Sequence, residues 1–177
     1  MKEEKEREEI KFNFSKNTGE NISIYTGIVV HNVLEEVDFT NISLKQLNTL
    51  IKKQEKIIPE LIKNVVMENS RKILRKFINS PLHKELKESN IIFRELPFTL
   101  YENEKYIEGR IDIIYEKDGK IIVMDYKTNR YETEEEKQKV IKAYEKQKEY
   151  YLKAVKKIFP EKNIEFKLGL LWKGEVV

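Results

Sequence analysis

The stretch Ile107–Lys127, IEGRIDIIYEKDGKIIVMDYK, decides how this chain is read. Two runs of alternating apolar residues flank Asp118-Gly119, the strongest short-range signal for a β-hairpin. A two-residue turn sets the register by arithmetic: Lys117 faces Lys120, Tyr115 faces Ile122, Ile113 faces Met124 and Asp112 faces Asp125. Side chains alternate along a strand, so Asp125 and Lys127 point the same way. Directly opposed residues share a face, which adds Asp112, with Cβ atoms roughly 5 Å apart. Two carboxylates so placed repel each other, and a divalent cation between them would make the pair favourable. An adjacent Lys aims at the same point. The pattern suits phosphodiester chemistry at a metal, although spacing alone leaves open a hairpin with solvent-facing charges.

The rest of the chain frames that hairpin. Upstream, Ile91–Glu102 reads as a strand, with Phe93, Glu95, Pro97 and Thr99 on one face and Arg94 and Leu96 on the other. Glu95 is thus a candidate third carboxylate. Downstream, TNRYETEEE is a charged loop, followed by one long helix from about Glu134 to Phe159. Its apolar stripe is Val140, Tyr144, Gln147, Tyr151, Ala154, Val155 and Ile158. Gln147 is the odd member, because a buried amide needs partners. Pro160 ends the helix. Residues 164–172 form a last strand.

Before the sheet lies a helical region, 42–90, expected to hold about four helices. Ser43 is a candidate cap, and Ser80-Pro81 opens the last of them. Apolar residues there include Leu61, Val65, Ile73 and Phe77. His83 reads as a surface residue. Residues 25–39 form an earlier helix with Thr26 as N-cap and Val30, Val33, Leu34 and Val37 as its buried face. His31 borders that stripe, and Gly27 permits close backbone approach. Residues 1–9 are a run of mixed charge, and Ile10–Phe14 alternates like a short strand.

The expected organisation is a charged tail and loop over 1–24 and a single domain over 25–177, with a helical region at 25–90 and a sheet core at 91–177. The fold class is α/β, a mixed sheet flanked by helices with a helical insertion.

Composition bounds the function. The chain has 177 residues, with 40% hydrophobic and 37% charged, and a net charge of +3. No global basic field announces nucleic acid, but a locally basic groove is compatible with that balance. Cysteine is absent, which excludes disulfides, thiolate zinc sites and Cys-ligated iron–sulfur clusters. No apolar run approaches the roughly 20 residues of a membrane span. No apolar signal core follows Met1, so the expected location is the cytoplasm. No GxxxxGK[ST] phosphate loop is present, and so no ATP site is expected.

Gly109-Arg110-Ile111-Asp112, a turn, and Asp125-Tyr126-Lys127-Thr128 together resemble the bipartite motif of the PD-(D/E)xK nuclease superfamily. GIVVHNVLEE at 27–36 resembles the helix that carries a His ligand in RecB-type nuclease domains. FINSPL at 77–82, RELPF at 94–98 and YEKQKEYYLKA at 144–154 resemble further segments of that group. Within it, the chain is most similar to the C-terminal nuclease domain of AddA-type helicase–nuclease subunits. The resemblance implies a restriction-endonuclease-like fold and a Mg²⁺- or Mn²⁺-dependent deoxyribonuclease, with exonuclease action expected. His31, Asp112, Asp125 and the backbone carbonyl of Tyr126 would bind the metal. Lys127 would position the attacking water, and Glu95 would support the site. Gln147, Tyr151, Tyr144, Thr128 and Arg130 would shape the site or touch DNA. The implied partners are single-stranded DNA ends and a helicase, in the same chain or separate, in the setting of break repair and recombination. Asn129 stands where an acid often follows Thr in the group. A non-catalytic nucleic-acid-binding or scaffolding domain on the same fold is the competing reading.

Overall fold

The structure, a computed structural model, describes residues 18–177. The charged run and the strand expected at Ile10–Phe14 lie outside the described residues. Helices α1 (Thr18–Glu36), α2 (Leu44–Lys53), α3 (Lys63–Ile78) and α4 (Pro81–Lys87) come first. Strands β1 (Asn90–Glu102), β2 (Lys105–Lys117) and β3 (Lys120–Lys127) follow. Helices α5 (Glu134–Ala143) and α6 (Glu145–Ile158) lead to β4 (Ile164–Leu170) and a short β5 (Glu175–Val176). The strands form one sheet in the order β1-β2-β3-β4-β5. β1, β2 and β3 are antiparallel neighbours, β4 runs parallel to β3 after the α5–α6 crossover, and β5 returns antiparallel to β4. The mixed, helix-flanked α/β sheet expected from the sequence is the one observed. Among the described residues, no helix is long and apolar enough to cross a membrane.

Two apolar layers hold the sheet. On one side α1–α4 pack against Ile113, Tyr115, Ile122, Met124 and Tyr126. On the other, Tyr151, Ala154 and Val155 of α6 pack against Ile111, Ile114, Ile121 and Val123. The central strands are covered on both faces, which explains their near-continuous apolar runs. The Asp118-Gly119 turn has φ of 51° and 75°, the left-handed pair that a tight hairpin demands. Asn103 and Glu104 make a second such turn between β1 and β2, with φ of 51° and 61°. Lacking a glycine, that turn gives little signal in the sequence.

Several expectations are corrected. α1 already runs from Thr18, so Thr26 is not its cap. Thr26 lies inside the helix, and its hydroxyl donates to the Ile22 carbonyl at 2.7 Å. The boundary expected at 24/25 therefore falls within a helix. The single helix expected at 134–159 is two helices broken at Tyr144, where the backbone turns to φ −108°, ψ 6°. Ile158, Leu61 and Val65 are exposed rather than packed. His83 is buried, not a surface residue. Its ring nitrogens lie 2.7 Å and 2.9 Å from the carbonyl oxygens of Ile78 and Phe39, so it ties together two chain segments that leave helices. Ser43 and Ser80 are N-caps as expected, accepting from the backbone N–H groups of Gln46 and His83.

The hairpin register agrees with the arithmetic as far as Ile113↔Met124, and there the ladder stops. Asp112 and Asp125 are therefore not a directly opposed pair. Alternation also slips at this level: Ile111 and Ile114 pack on the α6 side, whereas Ile113 packs on the other. β1 slips in step. Leu96 packs toward α6, but Arg94 reaches the α1 side and so does not share its face. Glu95 lies between them with φ 49°, a strained left-handed conformation for a residue other than glycine. The pairs Arg94↔Ile113 and Leu96↔Ile111 set Glu95 level with Asp112. Like charges facing across a ladder would repel, and the slip gives each carboxylate its own direction. Just beyond, Gly109 lets the Phe98 ring close over the backbone. A Cβ there would stand 2.7 Å from the Phe98 ring.

Candidate active site

The site assembles where the β2–β3 ladder ends. With Asp125 no longer opposite, the Asp112 carboxylate takes a main-chain place: its Oδ2 accepts the Tyr126 N–H at 2.6 Å. Its Oδ1 lies 3.3 Å from His31 Nδ1. The other imidazole nitrogen, Nε2, lies 3.1 Å from the Tyr126 carbonyl oxygen. His31 thus touches two of the groups expected beside it, and the Tyr126 ring packs edge-on against it at 5.9 Å between centroids. His31 is on the shared wall because the buried stripe Val29, Val30, Val33 and Leu34 seats α1 on the sheet. Glu95 completes this side. Ligand atoms of His31, Glu95 and Asp112 all fall within 4.8 Å of one another.

Asp125 and Lys127 face the α5–α6 side, consistent with their shared parity. Asp125 is 1% exposed. Its Oδ2 lies 2.5 Å from Lys127 Nζ, an ionic contact without a well-aligned hydrogen bond to that oxygen among the described residues. Its Oδ1 lies 3.4 Å from the Tyr151 hydroxyl. That hydroxyl donates to the Arg110 carbonyl at 2.6 Å and accepts from Gln147 Nε2 at 2.8 Å. Gln147 is thus the partner of Tyr151, and its Oε1 stays buried without a hydrogen-bond partner among the described residues. The lysine is held from a second side. Its ammonium stands 4.0 Å from the centroid of the Tyr144 ring, a cation–π contact, and the Tyr144 hydroxyl donates to Asn129 Oδ1 at 3.1 Å. The helix break at Tyr144 turns this ring toward Lys127. Thr128 and Arg130 lie on the segment leaving β3, with the Arg130 guanidinium over the Trp172 ring at 4.8 Å.

The electrostatics are those of a centre with too much negative charge for its volume. Burial pushes the Asp125 carboxyl up, and the neighbouring Asp112 charge pushes it further, against the pull of Lys127. Glu95 is also raised, by burial first and then by Asp112. Burial would raise Asp112 too, but hydrogen bonding and charge from His31, with the Tyr126 N–H, hold it below the usual carboxylate range. Burial would lower His31, and the Asp112 hydrogen bond and charge outweigh it, leaving the ring more basic than usual. A cation is the group that would relieve three crowded carboxylates together.

Some functional neighbours escape sequence reasoning. Arg110 Nη1 lies 3.6 Å from Glu95 Oε2. Its place in the Gly-Arg-Ile-Asp run is visible, but its partner depends on the left-handed backbone at Glu95, which no local pattern announces. Arg94 Nη1 lies 2.8, 2.9 and 2.7 Å from the carbonyl oxygens of Leu34, Glu35 and Val37, so it ties the end of the His31 helix to β1 one residue from Glu95.

A mixed sheet carrying Asp112, Asp125 and Lys127 at the opened end of a hairpin, walled by helices on both faces, defines a restriction-endonuclease-like α/β fold. The chain belongs to the PD-(D/E)XK nuclease superfamily, whose family model matches residues 10–172. Its curated relatives include proteins named as the A subunit of an ATP-dependent helicase/nuclease. That of Clostridium beijerinckii is 32% identical over 160 residues, covering 77% of this chain and 12% of the relative. That of Clostridium novyi is 30% identical over 149 residues, covering 75% and 12%. That of Staphylococcus carnosus is 26% identical over 171 residues, covering 82% and 14%. The chain spans only 12–14% of the length of these relatives.

Proposed function

We propose that this chain is a Mg²⁺- or Mn²⁺-dependent DNA nuclease domain that hydrolyses phosphodiester bonds, acting in the cytoplasm as the nuclease module of a bacterial helicase–nuclease in break repair and recombination. The observation that carries this reading is the convergence of His31, Glu95 and Asp112 within 4.8 Å, beside the buried Asp125–Lys127 pair. The donor set suits a hard divalent cation, since carboxylate and carbonyl oxygens favour Mg²⁺ and an imidazole is tolerated by Mn²⁺. His31, Asp112, Asp125 and the Tyr126 carbonyl would hold the cation, with Glu95 in reach of the same point. When bound there it would polarise a phosphodiester and make a coordinated water more acidic.

The chain's own residues do the rest. His31 and the Tyr126 N–H hold the Asp112 carboxylate in its ionised form and fix its direction. Asp125 holds the Lys127 ammonium, which stabilises negative charge growing on the phosphoryl oxygens and orients the attacking water. The Tyr144 ring keeps that ammonium from swinging away. Tyr151 and Gln147 brace the carboxylate end of β3 against Arg110. Water attack on phosphorus with loss of the 3′-oxygen leaves a 5′-phosphate. DNA ends, single-stranded when delivered by a helicase, are the substrate this reading assigns. Tyr144, Thr128 and Arg130 line their approach, whereas the buried Tyr151 and its partner Gln147 shape the site from behind.

The test pairs binding with cleavage. Calorimetry with Mn²⁺ is expected to show binding to the unaltered chain and its loss in Asp112→Asn and His31→Ala. Metal-dependent cleavage of single-stranded DNA is expected to vanish in Asp112→Asn, Asp125→Asn and Lys127→Ala, with Lys127→Ala still binding Mn²⁺. Cleavage that persists in Asp112→Asn or Asp125→Asn overturns the assignment.

A further inference from the structure

Beside the carboxylate centre, a cleft of about 450 Å³ opens between α1, α3 and the segment leaving β3. It shares His31 and Lys127 with the centre and continues past Thr128 and Arg130. Among the described residues, none that lines it is acidic. The sign of charge therefore reverses within one side chain's reach. The centre crowds Glu95, Asp112 and Asp125, whereas the cleft presents Lys127 and Arg130. A cation belongs in the first and an anion in the second. The cleft walls are mixed in the way a nucleotide is mixed. Ile24 of α1 and the nearly fully buried Ile73 of α3 supply the cleft's apolar lining, and the half-buried Asn69 of α3 lines it as well. The Asn69 amide has no hydrogen-bond partner among the described residues. Gly27 keeps the α1 wall clear: a Cβ there would already stand 3.4 Å from Thr128 Oγ1, so a longer side chain would enter the cleft. The volume falls at the low end of small-molecule sites, roughly 300–1,000 Å³, enough for one nucleotide and far too little for a duplex.

We propose that this cleft is a nucleotide subsite. It seats one nucleotide of a strand next to the bond at the centre, the phosphate toward Lys127 and Arg130, the base against Ile24 and Ile73. Asn69 is its specificity-determining residue, because an amide matches the paired donor and acceptor of a base edge. The subsite rests on the nuclease reading for its neighbouring bond, but binding tests it without cleavage. The helical insertion thereby becomes part of the substrate site rather than a cover for the sheet.

The experiment measures anisotropy of fluorescein-labelled oligothymidylate, oligodeoxyadenylate and oligodeoxycytidylate with the full chain in EDTA. Asn69→Trp fills the cleft and is expected to weaken single-strand binding about tenfold, the loss of one seated base. Mn²⁺ affinity by calorimetry stays unchanged. Asn69→Ala leaves the cleft open and is expected to flatten the differences among the three oligonucleotides. Gly27→Leu fills the cleft from the other wall and serves if Asn69→Trp misfolds. Unchanged binding in both filled variants, or a parallel fall in Mn²⁺ affinity, overturns the subsite. Cleavage of the same strands with Mn²⁺ is scored alongside. Cleft-dependent binding without cleavage in the unaltered chain overturns the nuclease reading and leaves the subsite, whereas cleavage and binding untouched by Asn69→Trp overturn the subsite alone.

Discussion

Lys127 is held between two unlike partners, the Asp125 carboxylate at 2.5 Å and the Tyr144 ring at 4.0 Å. The carboxylate fixes the charge, and the ring restricts where the ammonium can go. Tyr144→Leu removes the ring and is expected to lower kcat roughly two- to thirtyfold with little change in KM, the range of a cation–π contact of about 0.5–2 kcal/mol. Tyr144→Phe keeps the ring and loses only the hydroxyl bond to Asn129, so it should retain most of the rate. Steady-state kinetics on single-stranded DNA decides, and equal loss in both variants would show that the ring is not what matters. Asn129, which departs from the acid common in the resembling group, is an acceptor for Tyr144 in this chain. An amide oxygen serves that purpose without adding a further carboxylate beside Asp125.

At the level of elements, the strands meet the helical layer through a polar cluster as well as apolar contacts. Glu85 of α4 accepts from Tyr115 Oη of β2 and from Lys167 Nζ of β4, each at 2.5 Å. Burial works to raise its pKa, but the hydrogen bonds from Lys167 and Tyr115 prevail and hold it below the ordinary value. A depressed folded-state pKa contributes stability above the unfolded value of 4.5 and loses it as pH falls through the folded value. Glu85→Gln is therefore expected to be less stable than the unaltered chain by about 1.5–3 kcal/mol at neutral pH, the range for hydrogen bonds to a charged group. That gap should narrow as pH falls below 4.5. Urea unfolding at several pH values checks it, and a gap constant with pH would remove the ionised carboxylate from the account. The elements were legible unevenly. The Asp118-Gly119 hairpin was plain because its turn residues are diagnostic. The α5–α6 break was not. Apolar periodicity continues across Tyr144, and the break serves a contact with Lys127 that lies outside the helix.

Over the whole molecule, the site joins two layers that share no sequence neighbourhood. His31 comes from α1, Glu95 from β1, Asp112 from β2, and Asp125 and Lys127 from β3. Arg94 ties those layers, with its guanidinium on three carbonyls at the end of α1 and over the Phe39 ring at 4.3 Å. Arg94→Met leaves those acceptors without their donor and is expected to cost about 1–3 kcal/mol of stability. It is also expected to weaken Mn²⁺ binding, although Arg94 touches none of the ligands, because His31 and Glu95 lose their common anchor. Thermal melts and calorimetry read the two effects, and unchanged Mn²⁺ affinity would limit Arg94 to stability. With a net charge of only +3 the molecule has no broad basic field, so the strand assigned in the proposed function would be recognised locally, at the acid-free cleft beside the centre.

By itself the sequence determined the mixed α/β class, the hairpin register up to Ile113↔Met124, and which residue types would gather at its end. Those follow from local rules: alternation, turn chemistry, helical period and a motif whose spacing is short. Tertiary structure alone decided how the carboxylates share the site. The facing of side chains slips in β1 and β2 together at Glu95 and Asp112, while the register between the two strands is kept. The strained Glu95 backbone, the Asp112 bond to the Tyr126 N–H and the arrival of His31 all depend on packing between strands and α1. The energy that holds the Glu95 backbone in that conformation comes from contacts distant in sequence, and no local pattern carries it.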